Sequence, residues 1–466
     1  MKKQERDEVA AVAEQANAGE YAPRAGIVSQ ATAATAAVNG LMNDEDDHAS
    51  VEPDRPRVGA RYIWFLLLAV FGVNVALVAP IGLSLSLRVQ ELAPNNVEYL
   101  GVVLSVTSIV GLFTPSLFGM WSDRTRSRWG RRRPFALVGG LAGFSGLLVM
   151  AAAPNLVLLT VGWIVASIGF STTINSVLMS QADRLPEAQR GKVAGLSGFI
   201  TMLSSVVGVG LAAPFAGNNF LLFLVPGGVG LLLVLLWVFF VPEASSLDAE
   251  VRAKLGLRGT LKGLVFNPKQ HPDFAWNWLG RVLFQTGVSF ATAFTTLFFA
   301  SRLSPTGQVA DITGFITMLA LIGVIASAGG AFASGFLSDK FQRRRIFVLI
   351  AGIMFTAGAL TMAFGGSNPV LLVIGSVVTS TGLGIFATVD QAIILDILPV
   401  EDAGRFIGIN GYSTALAQAI APALAVPLLL IGVTGTDKNY GLLLVVAGVI
   451  SMIGGLIVVL KVRKAK

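Results

Sequence analysis

Gly119-Met120-Trp121-Ser122-Asp123-Arg124-Thr125-Arg126-Ser127-Arg128-Trp129-Gly130-Arg131-Arg132-Arg133-Pro134-Phe135 is a polar, arginine-dense stretch between two long apolar runs. A shorter echo, Gly335-Phe336-Leu337-Ser338-Asp339-Lys340, again leads into three arginines, Arg343 to Arg345. A second pair repeats elsewhere. Asp183-Arg184-Leu185-Pro186 is followed by Gly191, and Asp396-Ile397-Leu398-Pro399 is followed by Gly404. Both pairs are offset by a little over 210 residues. Two independent matches at nearly one offset mark the chain as two copies of one plan.

The apolar runs can be counted on that footing. A bilayer core takes about 20 apolar residues in helical form. Spans are expected at 62–87, 99–120, 135–153, 157–181, 192–213, 219–241, 273–300, 312–336, 346–365, 369–397, 406–432 and 440–461. The splits at 153–157 and 365–369 rest on short loops. The fold class is therefore an all-α membrane protein with twelve transmembrane helices in two six-helix halves. The expected organisation is a disordered cytoplasmic tail at 1–60, a first half at 61–241, a cytoplasmic linker at 242–272 and a second half at 273–466. Parallel repeats of six spans place a solute site between the halves, near the midplane.

Composition agrees. Apolar residues make up 54% of the chain and charged residues 13%, with mean hydropathy +0.71. A soluble domain carries about a quarter charged residues, so much of this surface has to face lipid. The formal charge of +7 is not a nucleic-acid signature, because the Lys and Arg cluster in alternate loops. The loops after spans 2, 4, 8 and 10 and the C-terminus are basic; the loops at the opposite end hold few basic residues, Arg88, Arg302 and Lys438. The positive-inside rule then puts both termini in the cytoplasm. The localisation expected is the cell membrane, multi-pass, with the chain working as a monomer.

Several classes are excluded. The chain has no cysteine, and its two histidines, His48 and His271, lie outside the apolar runs. No thiolate or histidine metal site is expected. There is no phosphate-binding Gly-rich loop ending in Lys-Ser or Lys-Thr, and no His-Glu-x-x-His. The expectation is no enzyme, no cofactor and no metal. The 1–60 stretch is Ala-, Glu- and Asp-rich and has no apolar core of the secretory type.

The loop at 119–135 resembles the loop signature of the major facilitator superfamily. Its fuller form looks most like the glycoside–pentoside–hexuronide cation symporters and the plant-type sucrose transporters. The resemblance implies alternating access and a cytoplasmic gate. By motif position the gate residues are Gly119, Asp123, Arg124, Gly130 and Arg131, with Gly335, Asp339 and Arg343 in the second half. Asp183 and Arg190 match the acidic-x6-Arg element placed after helix 4. The physics fits: glycine lets helices approach, a carboxylate suits a helix N-terminus, and arginine forks onto carboxylates. A plainer role, setting topology, falls to the arginines in any case.

Polar residues inside the spans are costly and are default site candidates. In span 7, Asn277, Arg281, Gln285 and Ser289 recur every four residues and form one stripe. Asp390 in span 10 sits at a depth similar to Arg281, roughly 10–12 Å from the same side at 1.5 Å per residue. The two are expected to pair, with protonation of Asp390 breaking the pair during transport. A static bridge pinning spans 7 and 10 is the plainer alternative. Trp163, Ser167, Ser171 and Asn175 share a face of span 4, as a sugar site would need, or as helix–helix glue would. Asn74 is a lone polar residue in span 1. Asn410, Thr414 and Gln418 are spaced by four in span 11. The family resemblance assigns the cavity to helices 1, 4, 7 and 10, which favours Asn74, Trp163, Asn175, Asn277, Arg281, Gln285 and Asp390 over span 11. Where the resembling symporters carry acidic residues within helices 2 and 4, this chain has none in mid-span. Asp390 is the deep carboxylate left.

The expected function is a secondary transporter moving a small hydrophilic solute, a sugar or glycoside, coupled to a proton or another cation. Export of drugs or metabolites is the alternative within the same superfamily. The polar stripes lean toward the hydrophilic solute.

Overall fold

The computed structural model describes residues 57–243, 245–247, 266–398, 403–432 and 438–463. The expected tail lies outside the described residues up to 56, and the expected linker does so over 248–265. Twelve long helices follow one another: α1 Ala60–Leu92, α2 Tyr99–Arg124, α3 Arg133–Ala152, α4 Leu156–Arg184, α5 Glu187–Ala212, α6 Asn219–Phe240, α7 Pro272–Leu303, α8 Thr313–Phe341, α9 Arg344–Phe364, α10 Pro369–Ile397, α11 Ala403–Leu430 and α12 Tyr440–Lys461. Among the described residues no strand occurs. Eleven of these helices are long and apolar enough to cross a bilayer, and α2 adds a shorter apolar stretch over Tyr99–Thr114. Helix is the required form, since every backbone polar group in hydrocarbon must be satisfied within its own segment.

Local sequence sets the helix starts. Asn155 opens α4 by accepting the Leu158 N–H at 2.9 Å. Asn218 opens α6 by accepting from Phe220 and Leu221. The second half repeats the device with Asn368 before α10 and Asn439 before α12. Each asparagine satisfies donors that the first helical turn leaves free. These caps also settle the two short-loop splits: α3 and α4 are separate helices, as are α9 and α10.

One boundary differs from the sequence reading. The apolar run predicts an end at 87 for the first span, yet α1 continues to Leu92. It gets there through a π-helical turn at Pro80–Ser84, where the Leu85 N–H reaches back to the Pro80 carbonyl. The polar residues beyond stay helical because Arg88 pairs with Glu91 and donates to the Ala153 carbonyl.

Packing repeats with the sequence. In the first half α1 packs on α4, α5 and α6, α3 on α4 and α6, and α2 on α4. In the second half α7 packs on α10, α11 and α12, α9 on α10 and α12, and α8 on α10. The tight α3–α4 crossing needs glycine: a Cβ on Gly169 would run into the Gly143 backbone. The halves meet through α2 against α11 and α5 against α8, pairs that the repeat exchanges. Large apolar side chains cover the outside, among them Phe332 (81% exposed) and Phe364 (80% exposed). A water-soluble monomer rarely shows apolar surface on this scale; a lipid-embedded one requires it.

The two ends of the bundle are distinct. Helices α1, α3, α5, α7, α9 and α11 start at the end bearing the arginine loops, called the arginine end below. The other is the far end.

Candidate solute and coupling site

Three helices of the second half converge on one buried polar cluster. Asn277, Arg281 and Gln285 stack along α7, and all are buried, as is Asp390 of α10. Arg281 Nη1 lies on Asp390 Oδ2. Asn277 Nδ2 donates to the other oxygen, Asp390 Oδ1, at 3.3 Å. The carboxylate is thus held on both oxygens from α7 alone. In a charge pair this deep the mutual attraction offsets part of the desolvation cost, and either charge left alone would be strongly destabilising.

The third helix is α11. Arg281 Nη2 donates to Thr414 Oγ1 at 3.2 Å, and Gln285 Nε2 donates to the same hydroxyl at 3.3 Å. The sequence reading sets span 11 aside; the structure draws Thr414 into the cluster. The spacing of Asn410, Thr414 and Gln418 is the available signal. Helix rotation decides among them: Asn410 and Thr414 are buried, and Gln418 is exposed. Asn277 Oδ1, Arg281 Nε and Asn410 Oδ1 are buried atoms without a hydrogen-bond partner. One turn farther toward the far end, Phe284 of α7 and Phe386 of α10 stack with centroids 3.7 Å apart. An apolar plug therefore borders the ion pair on that side.

The bonds described for this cluster all come from α7, α10 and α11. Asn74 donates to the Val70 carbonyl of its own helix at 2.8 Å. Trp163 and Asn175 are buried in α4.

At the arginine end, Asp183 accepts from Arg131 and Arg132, each at 3.1 Å. Arg132 also donates to Ser122 Oγ at 3.0 Å. Arg190 Nε donates to the Leu185 carbonyl. Gly119, Asp123 and Arg124 lie on the described α2 backbone, but their side chains and surroundings are outside the described residues. In the second half the bridging residue is Arg344, which reaches Asp339 at 2.9 Å and Asp396 at 2.7 Å. The expected Arg343 is instead the exposed residue preceding α9. Arg132–Asp183 and Arg344–Asp396 are the same pair in the two copies. Gly335 faces Thr388 of α10 at ordinary contact distance.

Sequence reasoning missed Glu243. It accepts the backbone N–H groups of Arg132 and Arg133 at 3.0–3.2 Å, a carboxylate at the N-terminus of α3. Gly130 has φ +84°, and a Cβ there would fall on the Glu243 side chain. Ser246 adds bonds to Thr125 and Ser127. The start of the linker is thereby tied to the α2–α3 loop.

The Major Facilitator Superfamily profile matches residues 62–333 and 278–466. The chain belongs to the major facilitator superfamily. Solved structures of transporters share its fold. The nucleoside transporter NupG superposes with TM-score 0.67 at 12% identity, over 85% of this chain and 97% of that one. A bacterial homologue of the human lysosomal transporter Spinster, solved inward-facing and unoccupied, gives 0.64 at 16% identity, over 88% and 98%. Among curated facilitators, myo-inositol transporter 3C of Cryptococcus neoformans var. grubii is 33% identical over 98 residues, 21% of this chain and 16% of its own length. The glucose transporter GlcP of Staphylococcus epidermidis is 35% identical over 97 residues, 21% of each. The matched stretches thus span a small part of those relatives.

Proposed function

We propose that this facilitator carries a small polyhydroxylated solute, a sugar or cyclic polyol, by alternating access, and that the Arg281–Asp390 pair couples the movement to a proton. The observation carrying this reading is the pair itself, flanked by the amides and hydroxyl of Asn277, Gln285 and Thr414. Hydroxyl-rich solutes are recognised by such donor and acceptor groups. Curated relatives named as inositol and glucose transporters support the solute class. The loop's likeness to glycoside and sucrose carriers points the same way.

Coupling follows from electrostatics. With Asp390 ionised, Arg281 is neutralised and α7, α10 and α11 are held together. A proton on Asp390 ends the charge pairing and leaves Arg281 in need of another acceptor. A solute hydroxyl or a reorganised cluster supplies one, so protonation and solute binding favour each other. By the count of Lys and Arg, the arginine end faces the cytoplasm of a cell membrane. The loop contacts of Asp183, Arg132, Arg344 and Asp396 form the gate on that side. The chain needs no second copy to complete the cluster, which favours action as a monomer.

Purified protein in liposomes should accumulate labelled glucose, myo-inositol or sucrose when a proton gradient is imposed. Accumulation of one of these, abolished by a protonophore, supports the reading. Equal uptake with and without the gradient would remove the coupling and leave a uniporter. No uptake of any would reject the solute class.

A further inference from the structure

The far end is closed by a seam that the solute site does not use. In α1, the π turn Pro80–Ser84 presents the Gly82 carbonyl, and Thr296 of α7 donates its hydroxyl there at 2.8 Å. In α11, the Ala423 N–H beside Pro422 donates to Ser105 Oγ of α2 at 2.8 Å. Gly101 of α2 lies so close that a Cβ would strike the Pro422 carbonyl. Gln90 of α1 uses both ends of its amide, donating to the Gly307 carbonyl and accepting the Val309 N–H. Each contact joins one half to the other.

One contact differs in kind. Glu98, just before α2, meets Lys438, just before α12, at 2.9 Å, with both side chains about 5% exposed or less. Among ion pairs whose two members are described, this is the one that joins the halves. It borders a cavity of 1080 Å³ at the far end, lined by both halves and including Gln90, Asn219, Arg302, Lys438 and Tyr440.

We propose that Glu98–Lys438 is the electrostatic latch of the far gate. When the halves part there, both charges come out into the water-filled cavity and are hydrated separately. When they close, each loses water and keeps only its partner. Removing one charge therefore penalises the closed far end alone, because only there is the survivor buried. Neutral hydrogen bonds such as Gln90 to Gly307 lack this asymmetry, since water replaces them at little net cost. The latch sets how much of the population is closed at the far end. It does not depend on which solute is carried.

The chain has no native cysteine, so spin-label pairs can be placed directly in the full chain in nanodiscs. Asn95→Cys with Ala310→Cys, both exposed, spans the halves at the far end; Arg126→Cys with Lys340→Cys, also exposed, spans the arginine end. Glu98→Gln or Lys438→Gln should raise the long-distance population of the far pair by about threefold or more. The arginine-end pair should shorten in step. The exchange Glu98→Lys with Lys438→Glu should restore the original distributions. Unchanged distributions in both single variants would overturn the latch. A far pair that lengthens without any change at the arginine end would also overturn it, showing local fraying instead of gating. Loss of uptake in Asp390→Asn with normal distances would leave the latch untouched, so the two claims fail separately.

Discussion

Arg281 of α7 and Asp390 of α10 form a closed ion pair 109 residues apart in sequence, with Asn277 on the second carboxylate oxygen and Thr414 on the second guanidinium nitrogen. Neither charged side chain has appreciable contact with solvent. A pair so enclosed carries its own stability test. Asp390→Asn should destabilise the protein by about 3–5 kcal/mol, because Arg281 stays buried without a counter-charge. Adding Arg281→Gln should recover most of that loss. Thermal unfolding of the three variants in one detergent checks both steps. A double variant no more stable than the single one would contradict the pairing.

Arg344 carries the second-half ion pairs at the arginine end. Arg344→Gln removes contacts to two partly exposed carboxylates, Asp339 and Asp396. The stability cost should be up to about 1 kcal/mol, as for exposed bridges, while transport falls. Arg343→Gln should leave both unchanged. Equal effects of the two variants on uptake would contradict the assignment.

Gly130 and Glu243 act together. Gly130→Ala forces a residue with a Cβ into left-handed backbone, which costs about 1–2 kcal/mol, and displaces Glu243 as well. Glu243→Gln keeps the hydrogen-bond acceptor and loses only the charge, at about 0.3–1 kcal/mol. Melting curves should rank the alanine variant below the glutamine variant. The opposite order would contradict the capping role.

Glu98 gives a pH dependence. Burial works to raise its pKa, but the bond from Lys438, a backbone bond and Asn96 outweigh it and hold the carboxyl below its ordinary value. Tyr440, facing it from α12, supplies no positive charge. A depressed folded pKa means the contribution is complete above the ordinary glutamate range and is lost as pH falls through the lowered value. Far-end label distances should stay constant from neutral pH down to the ordinary glutamate range, about 4.3, and lengthen only below it. Lengthening already between pH 7 and 6 would contradict this.

Much of this is legible in the sequence for stated reasons. Apolar runs report lipid-spanning helices because charge in hydrocarbon is so costly, and the same cost exposes Arg281 and Asp390 as a pair. Thr414 is legible only as one of three polar residues spaced by four in span 11, not as the one that reaches the pair. A threonine in a helix often bonds its own preceding turn, as Thr286 does to Val282, so its hydroxyl signals nothing by itself. Motif position points to Arg343 where the structure uses Arg344, because each residue along a helix turns the side chain by about 100° and the start of α9 fixes that rotation. Glu243 lies in a charged linker with no periodicity to place it. The far seam depends on which backbone groups of the π turn at Pro80–Ser84 and of α11 beside Pro422 meet the other half, which only packing reveals.

Asp390 is the residue proposed to take the coupling proton. Proteoliposomes carrying wild type or Asp390→Asn should be compared in two modes with the same transported solute: gradient-driven accumulation and solute exchange at equal pH. The variant should lose accumulation and keep exchange. Accumulation equal to wild type in a folded Asp390→Asn protein would contradict it.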